Sequence, residues 1–218
     1  MKLTDATMNG ANVYNLTRAC NTLIVGPNAS GKTTALENLL LGAGPSPQSP
    51  RQSAARWVIG KYPNEMSELF FWDKPDRVLA EQPDDWQWQE LDIAVQAHAY
   101  DSDVRPFIIA WDNLSTFPNP EKLHQLARTS RRNNTQVIAA VNAGSPPEVI
   151  SPHTWDFFPV RIVMAPGLIP RMEMRGYLPW YGLNDQRVPD PWEFPKEPGT
   201  ALVSTSPANK PFVCRIVK

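Results

Sequence analysis

The octapeptide Gly26-Pro27-Asn28-Ala29-Ser30-Gly31-Lys32-Thr33 carries glycine, glycine, lysine and threonine at the spacing G-x-x-x-x-G-K-[ST]. That spacing suits a loop that wraps its backbone N–H groups around a phosphate chain, because a Cβ at Gly26 or Gly31 would obstruct the turn or the close approach. Lys32 is expected to reach the β- and γ-phosphates of ATP. Thr33 is expected to offer its hydroxyl to Mg2+, and the N-terminus of the following helix adds partial positive charge. The candidate nucleotide-binding set is therefore Gly26, Pro27, Asn28, Ala29, Ser30, Gly31, Lys32, Thr33 and Thr34. A turn that binds nothing would match this spacing by chance in roughly one chain in a hundred of this length, and more rarely in the right setting. The setting here is right: Thr22-Leu23-Ile24-Val25 is a short β-favouring run broken at Gly26, and a helical pattern opens at Lys32.

A second set of residues answers the first. Phe107-Ile108-Ile109-Ala110-Trp111 reads as a strand buried on both faces, and it ends in Asp112. A carboxylate at the carboxyl end of such a strand is where a Walker B aspartate holds Mg2+, directly or through water, so Thr33 and Asp112 are the metal candidates. Many P-loop ATPases follow that aspartate with a water-activating glutamate, whereas this chain has Asn113. An amide cannot take the proton. Three options follow: a carboxylate from elsewhere, with Asp73, Asp76 and Asp103 as candidates; an Asn113 that only orients the water; or slow turnover. Val137–Val141 is another buried strand and ends in Asn142, whose amide could hydrogen-bond the γ-phosphate or simply start the turn Ala143-Gly144-Ser145. Between these strands, Asn119–Arg132 reads as a helix with Leu123, Leu126 and Ala127 inward and a basic end at Arg128, Arg131 and Arg132.

With 218 residues, 42% of them hydrophobic, the chain can bury a sizeable core as one unit or slightly more. A net charge of −1 excludes a uniformly basic surface, so any nucleic-acid contact must come from a local patch. The apolar runs are too short to cross a bilayer, and MKLTDATMNG lacks the apolar core of a signal peptide, which points to a cytoplasmic protein. Cys20 and Cys214 are far apart, and His98, His124 and His153 are scattered, so no zinc site is expected.

The supporting elements read as follows. The helix after the P-loop should stop near Gly42, ahead of a proline-rich connector, and a second helix is expected from Arg51 to about Lys61 with Ala54, Ala55, Val58 and Ile59 on one side. Glu68–Trp72 reads as a core strand ending in Asp73-Lys74-Pro75-Asp76, either a polar turn or part of the ligand edge. Pro83-Asp84-Asp85 opens a helix to about Tyr100, with Trp86, Leu91, Ile93, Ala94 and Ala97 as inward candidates and Trp86 and Trp88 as packing anchors. Val13, Tyr14 and Leu16 suggest a small early strand, and Arg161–Met164 a fifth core strand. Strands alternating with helices imply an α/β P-loop NTPase of the ASCE/RecA-like type: a three-layer sandwich with a mostly parallel central sheet and a β-rich C-terminal extension. The expected division is an N-terminal segment 1–20, an ATPase core 21–166 and a proline-rich extension 167–218 packed on the core. The strand at 68–72 is expected to separate the two Walker strands. A guanine-specificity motif is excluded, since NKPF at Asn209 lacks its aspartate, and neither an LSGGQ-like signature nor an Arg-rich lid is present.

The order GPNASGKTT, FFWDKPD, FIIAWDN, RTSRRNN, TQVIAAVN and SPPEVISPHTWDFFPVRIV resembles the FtsK/HerA superfamily of DNA-translocating ATPases, over roughly Leu23 to Val163. The small viral members of that superfamily are the genome-packaging ATPases of tectivirus-type internal-membrane viruses. The resemblance implies a homohexameric ring that hydrolyses ATP between subunits and drives double-stranded DNA into a preformed capsid, in the host cytoplasm or at a packaging vertex with capsid partners. It assigns Asp73-Lys74-Pro75 to the end of the second strand, Asn142 to the place of the sensor glutamine, and Arg131 to the arginine that faces a neighbouring subunit's nucleotide, with Arg128 and Arg132 as alternates. Lys74, Arg77 and Arg171 are candidates for gripping phosphates in the pore. Asn113 departs from the family's usual glutamate. The alternative from the residues is a nucleotide-binding switch or assembly factor with little hydrolysis.

Overall fold

In the computed structural model, residues 6–8, 20–42, 55–60, 76–100, 107–112, 120–130, 132–144, 152–170, 174, 177, 194–205 and 211–216 are described. The strands are β1 (Ala6–Met8), β2 (Thr22–Gly26), β3 (Ala55–Gly60), β4 (Arg77–Ala80), β5 (Phe107–Trp111), β6 (Thr135–Asn142), β7 (Val160–Met164), β8 (Thr200–Ser204) and β9 (Phe212–Ile216). The α-helices are α1 (Lys32–Gly42), α2 (Asp85–Tyr100), α3 (Pro120–Thr129) and the single turn α4 (Pro152–Trp155), with a 3-10 turn at Pro166–Leu168.

Successive side chains of one strand point to opposite faces, and in β2 both faces are apolar. Leu23 and Val25 enter a core shared with Ile109, Trp111, Leu91, Leu123 and Phe158. Ile24 enters another, with Ile108, Ala110, Ile138 and the α1 residues Leu36, Leu39 and Leu40. A sheet sandwiched between helices needs such unbroken apolar strands, and each fully buried leucine or isoleucine contributes about 1.5–3 kcal/mol.

The nine strands of the described residues form one sheet in the order β1-β9-β8-β7-β2-β6-β5-β3-β4. From β7 to β4 all neighbours are parallel. β8 is antiparallel to both β7 and β9, and β1 is parallel to β9, so among the described strands β8 alone runs against the rest. The carboxyl ends of the parallel strands therefore share one edge of the sheet, and the segment that enters β8 begins at that same edge.

Three expectations change. The helix over 51–61 is instead the strand β3, wedged between β5 and β4. Ala55, Val58 and Ile59 have helical spacing, yet Val58 and Ile59 enter opposite cores, which only an extended chain allows. The strand between β2 and β5 is β6, not residues 68–72, which lie outside the described residues, as do Val13, Tyr14 and Leu16. In α2, Leu91 and Val95 are buried, but Trp86 and Ile93 face outward at 62% and 61% exposure and Ala97 is exposed too. Trp88 does anchor the helix, with its ring 5.7 Å from that of Trp111.

Candidate nucleotide site

β2 runs out at Gly26, and the next residues turn back on themselves: the Ser30 N–H donates to the Pro27 carbonyl at 3.3 Å, and Ala29 and Gly31 have φ of 59° and 97°. A Cβ on Gly26 would lie 2.5 Å from Ser30 Oγ and 2.8 Å from Met164 Cβ, so only glycine fits between the loop and β7. The Ala35 N–H then donates to the Gly31 carbonyl at 2.9 Å and α1 begins. Lys32 is only 8% exposed, and its ammonium donates to the Pro27 carbonyl at 2.8 Å, curled across the loop. Burial lowers the Lys32 pKa below its usual value, and the Asp112 carboxylate opposes that shift.

Asp112 follows β5, its N–H donating to the Ile59 carbonyl of β3 at 3.0 Å. Its Oδ2 accepts a hydrogen bond from Thr33 Oγ1 at 2.9 Å. A hydroxyl and a carboxylate oxygen held this close suit a hard divalent cation that keeps waters and phosphate oxygens for its other positions. Among the described residues no group of three or more His, Cys, Asp or Glu side chains could hold a metal by itself. Thr33 and Asp112 fit Mg2+ as a two-ligand site completed by substrate.

Asn142 ends the strand beside the loop. β6 lies between the two Walker strands, Asn142 is in register with Gly26, and the next N–H, of Ala143, donates to the Gly26 carbonyl at 2.9 Å. The strand tip is braced by residues that sequence reasoning passed over. The Gly144 N–H donates to Tyr177 Oη at 3.0 Å, and the Tyr177 carbonyl accepts from Arg161 Nη1 at 2.6 Å. Arg161, read only as a strand start, is a buried cation that also donates to the carbonyls of Phe158 at 3.2 Å and Trp155 at 2.9 Å. Desolvation lowers its pKa to about 10, opposed by Asp156. A charged residue inside an apolar strand run was the available signal.

Other candidates lie elsewhere. Asp76 precedes β4 at the amino edge, where its Oδ2 accepts from the Arg56 N–H at 2.7 Å, so it does not face the loop as a water-activating carboxylate. Arg77 pairs with Glu90 at 2.9 Å. Arg128 and Arg132 are exposed, also at the amino edge: Asn21, just before β2, donates to the Ala127 carbonyl and Ser130 Oγ, both at 2.9 Å. The length of β6, about 23 Å at ~3.3 Å per residue, separates that corner from Asn142 and the phosphate loop of the same molecule. Asn113, Arg131, Asp73, Lys74, Asp103 and Arg171 lie outside the described residues.

A glycine-framed loop between β2 and α1, and a strand separating it from the aspartate-tipped β5, define the architecture. The fold is that of a P-loop ATPase. Among solved structures, it is similar to the genome-packaging NTPase B204 of Sulfolobus turreted icosahedral virus 2 in complex with ATP-gammaS, at TM-score 0.61 and 10% identity, covering 92% of this chain and 98% of that one. It is also similar to EssC (ATPases 2 and 3) from Geobacillus thermodenitrificans, at TM-score 0.61 and 16% identity, and to the cytoplasmic domain of EssC, at 0.58 and 15%. In those two cases 91% and 92% of this chain is covered, but it spans only 40% and 39% of theirs. No family model matches the sequence, and no curated protein does. Among the described residues no helix is long and apolar enough to cross a membrane.

Proposed function

We propose that this chain is an ATP-hydrolysing motor that translocates double-stranded DNA and packages a viral genome into a preformed capsid. The observation that carries the ATPase half is the 2.9 Å contact between Thr33 and Asp112, made by residues 79 positions apart and lying next to a strand tip that bears Asn142. The DNA half is supported by the likeness to B204 over 98% of that chain, which exceeds the share of either EssC structure.

In this reading the backbone N–H groups of residues 28–34 bind the phosphates of ATP, and Lys32 swings from the Pro27 carbonyl to the β- and γ-oxygens. Thr33 and Asp112 would hold Mg2+, which when bound would supply charge neutralisation for phosphoryl transfer. Asn142 orients the attacking water or senses the γ-phosphate. Asn113 leaves no proton acceptor directly after Asp112, so turnover depends on how well the water is aligned. Arg131, between Arg128 and Arg132 in the sequence, acts on the nucleotide of a neighbouring subunit; a guanidinium offered in trans makes hydrolysis conditional on a homohexameric ring. Lys74 and Arg171 grip DNA phosphates, and capsid vertex proteins receive the ring, in the host cytoplasm or on the virion.

ATP turnover measured with and without duplex DNA, together with mass in solution, tests the proposal. DNA should raise turnover, and a ring should form with ATP present. Lys32→Ala should abolish turnover, and Arg131→Ala should keep ATP binding while hydrolysis collapses. DNA-independent turnover by a stable monomer would sink it. Asn113 favours a second reading, a nucleotide switch, which requires binding without turnover in a single-turnover assay.

A further inference from the structure

The segment Glu197-Pro198-Gly199-Thr200 has the marks of a type II β-turn. The Thr200 N–H donates to the Glu197 carbonyl at 3.2 Å, proline holds the second position, and Gly199 holds the third with φ of 83°. Relative to a type I turn the central peptide is flipped, which turns the Gly199 N–H to the other side. That N–H donates to the carbonyl of Ser30 in the phosphate loop at 3.0 Å, while the Gly199 carbonyl accepts from the Ile216 N–H of β9 at 2.8 Å. A Cβ built on Gly31 would lie 3.4 Å from Gly199 N, so the two backbones are in close contact.

A trans peptide is planar, with its C=O and N–H pointing in opposite directions. Holding the Ser30 carbonyl toward the turn therefore aims the Gly31 N–H away from it, toward the concave side of the loop where a phosphate oxygen would lie. We propose that Gly199 is a positioning residue for the phosphate-binding loop, acting through this peptide from 169 residues away in the chain. The proposal rests on reading the loop as a nucleotide site, and it adds a requirement on the C-terminal segment that the loop motif does not contain.

Gly199→Ala and Gly199→Asn separate this role from simple packing. Both add a Cβ about 3.3 Å from the Ile216 carbonyl. Asparagine tolerates positive φ far better than alanine, so alanine should drive the turn toward type I and withdraw the N–H from Ser30. The full chain is titrated with Mg-ATPγS by calorimetry, assayed for kcat and KM, and followed by hydrogen exchange over residues 26–33. Gly199→Ala should raise Kd and KM about tenfold, the worth of one lost hydrogen bond plus turn strain, with kcat at saturation nearly unchanged. Its loop amides should exchange faster, and Gly199→Asn should lie close to wild type on every readout. A lowered melting temperature with unaltered Kd, or equal losses in the two variants, would overturn the proposal. Failure of the wild-type chain to bind nucleotide would overturn the site itself, and is distinguished by not depending on residue 199.

Discussion

Gly26→Ala tests the geometry of the phosphate loop with one methyl group. The added Cβ meets Ser30 Oγ at 2.5 Å and Met164 Cβ at 2.8 Å, distances that real Cβ contacts essentially never show, so the loop and β7 must part. Overpacking of this kind costs about 1–3 kcal/mol, which for a domain of this size lowers Tm by roughly 2–12 °C. Because the displaced atoms belong to the loop, nucleotide affinity should fall with stability. Adding Ser30→Ala removes the nearer obstacle and leaves the Met164 one, so the double variant should recover only part of the loss, a coupling that a double-mutant cycle isolates. Thermal melts and Mg-ATPγS titration of the four proteins supply the data. A Gly26→Ala protein that melts and binds like wild type would refute the packing argument, and full recovery by Ser30→Ala would remove β7 from it.

The other predictions concern buried charge. Arg161→Met leaves the carbonyls of Phe158, Trp155 and Tyr177 without the guanidinium and should destabilise by about 2–5 kcal/mol; Arg161→Lys should recover little, since one ammonium cannot reproduce a planar fork, and equilibrium denaturation measures both. Lys32, with its folded pKa lowered, carries a burial cost that is fully present below that pKa and relieved as pH rises through it toward 10.5, because there the unfolded chain binds more protons than the folded one. Lys32→Met should therefore gain stability over wild type at neutral pH, with the gap narrowing in melts taken at increasing pH. Asp112→Asn should lower turnover by at least about a hundredfold and weaken its dependence on Mg2+ in a steady-state assay across Mg2+ concentrations.

What could be read from the chain was whatever local pattern determines. β2, β5 and β6 contain apolar runs that end at a glycine or a polar residue, β7 is apolar apart from Arg161, and the P-loop spacing marks the tip of β2. The pairing of Thr33 with Asp112 was anticipated in kind, but not that β6 would lie between their strands, because strand order depends on crossovers that leave no mark in a single run. β3 was mistaken for a helix because Ala55, Val58 and Ile59 satisfy helical spacing and Arg56 interrupts the apolar run. Its burial beside Leu40, whose carbonyl accepts from Arg56 Nη1 at 3.3 Å, is a tertiary fact. β1 and β4, of three and four residues, are too short to announce themselves. Trp86 and Ile93 were placed inside on hydrophobicity alone, although α2 needs only Leu91 and Val95 as its deepest contacts with the sheet. The Arg161–Tyr177–Gly144 brace joins residues whose spacing carries no motif.

The sheet order has a consequence for synthesis. The strands on either side of β2, β6 and β7, begin more than 110 and 135 residues after it, and β1 pairs with β9, the last of the described strands. A nascent chain thus carries its most informative motif long before it carries the neighbours that give that motif a shape. The loop motif therefore gains its packed surroundings only after β6 and β7 have been made, however early its own residues are.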